Sequence, residues 1–235
     1  MRVEDAFAVF DAQDSGCLSY GVERAGRRWF VKTAGGPDTA AAMTRVVGLH
    51  RAVRHEAVVR PVAVLPGPTL VYPWCPGEVL NAATADGGTR TALERFRRLP
   101  VGDVLRALDA ILDAHVAIAA AGWISVDLYD GCFLYDFDAG RMRLVDLDEY
   151  RPGAFVLDAD RLPGSTRYMA PEEWVRGARI DERTTVHQLG RTLQQLLTGH
   201  RATDRQRAVA ARATDPDPDR RHQTVAALVA GWRRP

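Results

Sequence analysis

The sequence changes character at Cys75-Pro76-Gly77. Before that break, short β-prone runs surround one helical stretch. After it, helical periodicity dominates. Such a chain reads as α+β. We expect a small β-rich part over residues 1–76 and a mainly helical part over 77–235, with a hairpin at the centre of the second. No internal repeat is visible.

In the first part, the runs CLSYGV and RRWFVK flank Arg24-Ala25-Gly26, which predicts a hairpin. Gly35-Gly36-Pro37 then breaks the chain. Asp38 or Thr39 can cap a helix running to about Arg54. Two further strands are expected, Val58–Leu65 and Thr69–Trp74, split by Pro66-Gly67-Pro68. In the second part, residues 81–92 read as a loop. Residues 101–121 carry apolar side chains at the spacing of a largely buried helix, ended by Gly122. Two strands, Cys132–Tyr135 and Met142–Val145, flank Asp138-Ala139-Gly140. Residues 149–170 show no periodicity. Helices are predicted near 171–176, 183–198, 203–213 and 222–232.

Composition excludes several classes. Apolar residues make up 46% and charged residues 26%, so disorder and collagen-like repeats are out. With 31 basic and 30 acidic residues, the net charge of +1 gives no argument for nucleic acid or an anionic membrane. No apolar run suits a transmembrane helix, and MRVEDAFAVF does not read as a signal peptide. Cys17, Cys75 and Cys132 form no CxxC and are odd in number, so no disulfide is expected. The expected compartment is the cytoplasm.

One cation stands out. Thirty of the 31 basic residues are arginine, and the only lysine is Lys32. Lysine differs from arginine where a compact point charge must fit a tight site. Lys32 closes the second strand of the predicted hairpin. Two carboxylates, Asp127 and Asp146, flank the later hairpin, which can bring both to one mouth. Two acids and a lone lysine suit phosphoryl transfer: one acid binds Mg²⁺, one orients a hydroxyl, and the lysine grips phosphate.

At this point the chain resembles the protein kinase family along most of its length. Phe30-Val31-Lys32 resembles the strand that presents the nucleotide lysine. Val71-Tyr72-Pro73-Trp74 resembles the hinge between lobes. Gly122–Asp127 with Leu128 resembles the catalytic loop, and Val145-Asp146-Leu147-Asp148 the metal-binding segment. Gly164-Ser165-Thr166-Arg167-Tyr168-Met169-Ala170-Pro171-Glu172 is the most specific match, to the end of an activation segment. Asp217-Pro218-Asp219-Arg220-Arg221 resembles the segment whose arginine pairs with the glutamate of Ala-Pro-Glu; Arg221 is favoured, with Arg220 the alternative.

The resemblance implies a two-lobed fold, ATP and Mg²⁺ as cofactors, and transfer to Ser or Thr of a protein substrate. It implies catalytic roles for Lys32 and Asp127, nucleotide contacts from Lys32, Gly16, Tyr72 and Trp74, and metal binding by Asp146. It also implies a structural pair between Glu172 and Arg221. The Tyr72 carbonyl and the Trp74 N–H would face the base.

The departures are as specific. Gly16 is the one glycine left in the phosphate loop, with Asp11 and Gln13 at the other positions. The helix after Lys32 has no Glu, and Val46 stands near its place. Ser125-Val126 precede Asp127. Cys132 replaces the metal-binding Asn, and thiols are poor Mg²⁺ ligands. The chain's one asparagine, Asn81, lies far from it in sequence, so Asp130 or Asp148 would have to supply an oxygen. Thr185 stands where a structural Asp is usual. These departures imply a single-ion site. They also raise an alternative, a pseudokinase that binds nucleotide or a partner without turnover. A small-molecule kinase is a third reading, disfavoured by the Met-Ala-Pro-Glu segment.

Overall fold

A computed structural model describes residues 3–10, 16–82 and 89–234. The amino-terminal part is a five-stranded antiparallel sheet in the order β1-β2-β3-β5-β4. Its strands are β1 (Ala6–Phe10), β2 (Cys17–Arg24), β3 (Arg27–Ala34), β4 (Ala63–Leu65) and β5 (Thr69–Pro73). The expected hairpin forms at Ala25-Gly26, both at positive φ (52° and 69°). That two-residue geometry matches the twist of the flanking strands. β1 was not expected from the sequence, although its alternating exposure is that of an edge strand.

Helix α1 (Pro37–Ala52) starts with proline at its first position, where the missing N–H costs nothing. Neither Asp38 nor Thr39 is the residue before the helix; Gly36 is. Thr39 closes the end from inside, its hydroxyl accepting from Gly36 N–H at 3.0 Å and donating to Gly36 C=O at 2.9 Å.

The expected strand Val58–Leu65 forms only over its last three residues. Residues 57–59 pair instead with the central hairpin: Val58 bridges Leu144 in parallel, Val59 N–H donates to Leu144 C=O, and Leu144 N–H donates to Ala57 C=O. Pro61 lacks the donor to carry one continuous strand through.

The rest of the chain is mainly helical. Its helices are α2 (Thr91–Phe96), α3 (Val101–Ala120), α4 (Glu182–Leu196), α5 (Asp204–Ala213) and α6 (Val225–Arg233). β6 (Glu78–Val79), β8 (Phe133–Asp136) and β9 (Arg141–Leu144) form a three-stranded sheet, and β7 (Trp123–Ile124) pairs with Arg151–Pro152. α2 begins inside the stretch read as a loop, and the helix expected at 171–176 is a 3₁₀ turn, Pro171–Trp174.

One core runs through both parts. Met43, Val46 and Leu49 of α1 join Leu80, Leu108 of α3, Leu144 and Leu189 of α4. Val46, which stands near the place of the absent helix glutamate, is wholly buried in that core. No described helix is long and apolar enough to cross a membrane.

Candidate functional site

Between the sheet and the helical part lies a cavity of about 270 Å³. Period-two geometry turns Phe30 and Lys32 of β3 to the same face. The register puts Phe30 opposite Tyr72 and Lys32 opposite Ser19 and Leu70. Phe10, Phe30, Tyr72 and Trp74 line the cavity as an aromatic wall. Phe30 sits 5.8 Å from Phe10 and 6.3 Å from Tyr72 between ring centres, and Phe10 stacks on Trp74 at 6.4 Å. Tyr72 and Trp74 thus reach the cleft, but one expectation fails in detail. The Trp74 backbone N–H donates to Arg28 C=O at 3.2 Å, so it extends the sheet instead of facing the cleft.

Lys32 is buried at the inner end, its ammonium 2.5 Å from Asp146 Oδ1 and 2.5 Å from Asp148 Oδ2. Burial alone would lower its pKa; the two carboxylates outweigh that and hold the ammonium well above its ordinary value. The two acids differ in exposure: the Asp146 side chain is 30% accessible, that of Asp148 only 9%. Arg45 on α1 reaches the same segment, donating to Asp148 C=O at 3.2 Å and Tyr150 C=O at 3.1 Å.

Asp127 and Asp146 share a backbone peculiarity. Among the described residues only three non-glycine residues have positive φ: Ala25 in its hairpin turn, Asp127 at 58° and Asp146 at 59°. Such conformations persist only where the surroundings impose them. Cys132 supplies part of that imposition. Its buried thiol donates to Asp127 C=O at 3.3 Å and reaches Asp146 C=O at 3.9 Å. Burial, with Asp146 and Asp127 nearby, pushes the thiol pKa well up, so it stays neutral.

Burial, with help from Asp146 and Glu149, raises the Asp127 carboxyl to about 7, against the Ser165 N–H and Lys32. Gly164 packs beside Asp127, where a Cβ would stand 3.5 Å from Oδ1. Gly16 does not line the cleft; at φ 66° its carbonyl accepts from Gly35 N–H at 3.0 Å. Asp11 and Gln13 lie outside the described residues.

Asp130 is wholly buried and already engaged: Arg167 donates to both its oxygens at 2.9 and 3.0 Å, and Asn81 Nδ2 to Oδ1 at 3.0 Å. Asn81, remote in sequence, is therefore adjacent in space. Ser165 and Thr166 line a neighbouring recess with Asn81, Arg90 and Arg167.

Behind the site runs a buried polar chain. Ser125 N–H donates to the Thr185 hydroxyl at 3.0 Å, and its Oγ–H to Gln188 Oε1 at 2.6 Å. Gln188 Nε2 donates to Glu173 Oε1 at 2.9 Å, and Ala170 N–H to Glu173 Oε2 at 2.6 Å. Burial raises Glu173 to about 8. Glu172 instead pairs with Arg221, Nη1–Oε1 at 2.6 Å and Nη2–Oε2 at 2.8 Å. Burial pushes Glu172 up, but these bonds outweigh it and hold its carboxyl below the usual range. His115, wholly buried on α3, is bonded at both ring nitrogens, to Ile111 C=O and the Tyr150 hydroxyl.

For a divalent cation, Asp146 is the accessible carboxylate. Among the described residues no three His, Cys, Asp or Glu side chains gather as a metal-holding group. Mg²⁺ does not need one, because it is commonly held by one or two carboxylates plus substrate phosphates. The donors present fit one such ion. Arg45, Asn81 and Thr185 escaped the sequence reading as site residues, their partners lying 105, 49 and 60 positions away. Only the polar character of Arg45 amid the apolar residues of α1 hinted at its place. In comparisons with known proteins, no family model and no curated protein matches this chain.

Proposed function

We propose that the chain is a two-lobed, protein-kinase-like enzyme that transfers phosphoryl from ATP to Ser or Thr hydroxyls of a protein. One observation carries the reading. Lys32 and Asp146 meet at one end of an aromatic-walled cleft, Asp127 from a separate segment lies within electrostatic reach of both without lining it, and both aspartates are kept in a costly backbone conformation. Strain at paired carboxylates points to chemistry more than to packing.

In this reading the aromatic wall takes the base and Lys32 holds the α/β-phosphates. Its ammonium stays charged because two carboxylates support it. Asp146 would hold Mg²⁺ together with the phosphates, and the ion supplies neutralisation of charge on the transferring group. Asp127, near its midpoint at pH 7, accepts the proton of the attacking hydroxyl as the new O–P bond forms and the bond to the ADP oxygen breaks. The Ser165 N–H orients that carboxylate. Cytoplasmic residence suits the buried Cys132 thiol.

A specific observation favours the second reading, a nucleotide-binding pseudokinase. Cys132 offers no oxygen where a second metal ligand is expected, and its thiol is committed to backbone carbonyls. A thermal shift separates the two. At about 100 times Kd a ligand adds roughly 2.7 kcal/mol, or roughly 5–10 °C for a chain this size. The enzyme reading expects a shift with ATP that needs both Mg²⁺ and Asp146, lost with EDTA and in Asp146→Asn. A shift independent of metal supports the pseudokinase. No shift with ATP under either condition rejects both nucleotide readings.

A further inference from the structure

We propose that Asp148 is the standing counter-ion of Lys32, a positioning residue that fixes the ammonium and leaves Asp146 to the metal. What Lys32 then grips rests on the phosphotransferase reading; the pairing itself rests on geometry.

Both carboxylates lie 2.5 Å from Nζ; Asp146 accepts a hydrogen bond from it, whereas Asp148 meets it as an ion pair through a buried Oδ2 that takes no hydrogen bond, and their surroundings differ. Asp148 and Lys32 are shielded together, with 9% and 6% of their side chains accessible, whereas Asp146 is 30% accessible. A buried carboxylate needs a partner continuously, because an unpaired buried charge is costly. A half-open one can exchange its partner for a cation arriving with substrate. Asp148 is also the anchored member. Arg45 Nη2 binds its carbonyl and Arg45 Nε that of Tyr150, while the guanidinium sits 3.6 Å from Glu149. α1 offers no competing carboxylate near Lys32: its one acid, Asp38, lies in the exposed first turn. An ion bound by Asp148 would have to take it from Lys32 in a buried setting. The helix thus positions Lys32 indirectly, by fixing through Arg45 the segment that carries the counter-ion.

Because Lys32 is the only lysine, protein made with ¹⁵N-lysine gives a single side-chain ammonium resonance, which reports the Lys32 site alone, and the two aspartate variants separate its two contacts. In the wild type it should exchange slowly with water. Asp146→Asn should keep slow exchange, Asp148→Asn should speed it at least tenfold, and Asp148→Glu should recover part of the protection. Unchanged exchange in Asp148→Asn, or equal acceleration in both Asn variants, overturns the assignment. Should Asp148→Asn fail to fold, Arg45→Gln decides: severalfold faster exchange is expected, and a wild-type rate overturns it. ATP binding is measured in parallel with Mg²⁺ and with EDTA. Asp148→Asn should weaken ATP about tenfold in both while keeping the Mg²⁺ enhancement, which Asp146→Asn should lose. Loss of that enhancement in Asp148→Asn would make Asp148 a metal ligand instead. A wild type that binds no ATP rejects the phosphotransferase reading, yet the ammonium resonance still decides the counter-ion.

Discussion

The thiol of Cys132 donates to the backbone carbonyl of Asp127, 3.3 Å away, and so ties the end of one acidic loop to the start of β8. Removing the donor takes a hydrogen bond from the carbonyl of the half-buried Asp127. Cys132→Ala should cost about 1–3 kcal/mol, read as a lower denaturant midpoint, and Cys132→Ser should cost less. Cys132→Asn brings an oxygen next to Asp146. It should tighten Mg²⁺ binding in the presence of ATP, even at a stability cost of about 1–3 kcal/mol for overpacking. Unchanged or weaker Mg²⁺ dependence in that variant would reject the single-ion account.

Asp127 gives a pH signature. Its carboxyl titrates near pH 7 through burial and the neighbouring Asp146 and Glu149. A base must be deprotonated, so kcat/KM should climb as pH rises through about 7 and level off above it. Asp127→Asn should lower turnover by roughly 10²–10⁴ while ATP binding stays within about twofold of wild type. An equal loss of ATP affinity would show a structural role instead.

Arg221 and Arg220 are neighbours with opposite expectations. The Arg221 guanidinium is buried and donates to Glu172 and to the carbonyls of Asp215, Arg183 and Pro216. Arg221→Ala strands the Glu172 carboxylate and should cost about 3–5 kcal/mol. The exposed Arg220 guanidinium meets Asp217 at 3.6 Å, and Arg220→Ala should change stability by no more than about 0.5 kcal/mol. Urea midpoints of the two variants test the contrast directly.

These contrasts follow what the sequence could and could not disclose. The turn at Ala25-Gly26, the run of α3 and the strand position of Lys32 are written in local chemistry: turn residues, periodicity and a single unusual cation. The half of Val58–Leu65 that does not join the sheet is not local, because its partner Leu144 lies far along the chain. The same holds for Asp148, whose role depends on how a short loop folds back under β3. It holds also for the Trp74 N–H, whose partner is chosen by sheet register. Asn81 illustrates the limit plainly: distant from Asp130 in sequence, it is a hydrogen bond away in space.

Stability should peak near pH 6.5, with different causes on each side. Burial lowers His50, His115 and His187 to about 4. Their contribution is full above the ordinary histidine pKa and is lost as pH falls from about 6.5 toward 4, about 3 kcal/mol for the wholly buried His115. Glu173 acts in the other direction. Its raised carboxyl stabilises most when protonated, and that contribution is lost as pH rises from about 4.5 through about 8. Denaturant midpoints from pH 4 to 9 should show both limbs. Glu173→Gln should flatten the alkaline limb and leave the acid limb in place.

The bridge between Val58 and Leu144 also orders the birth of the protein. A ribosome delivers the hairpin, α1 and Val58 long before it delivers β9. During that interval Met43, Val46 and Leu49 share a core only with amino-terminal residues such as Cys17 and Leu70, and the side that joins Leu80, Leu108 and Leu144 stays open. The first part of this chain therefore completes its core only when the second arrives, and slow synthesis between Val58 and Leu144 would lengthen its exposure to aggregation and to chaperones.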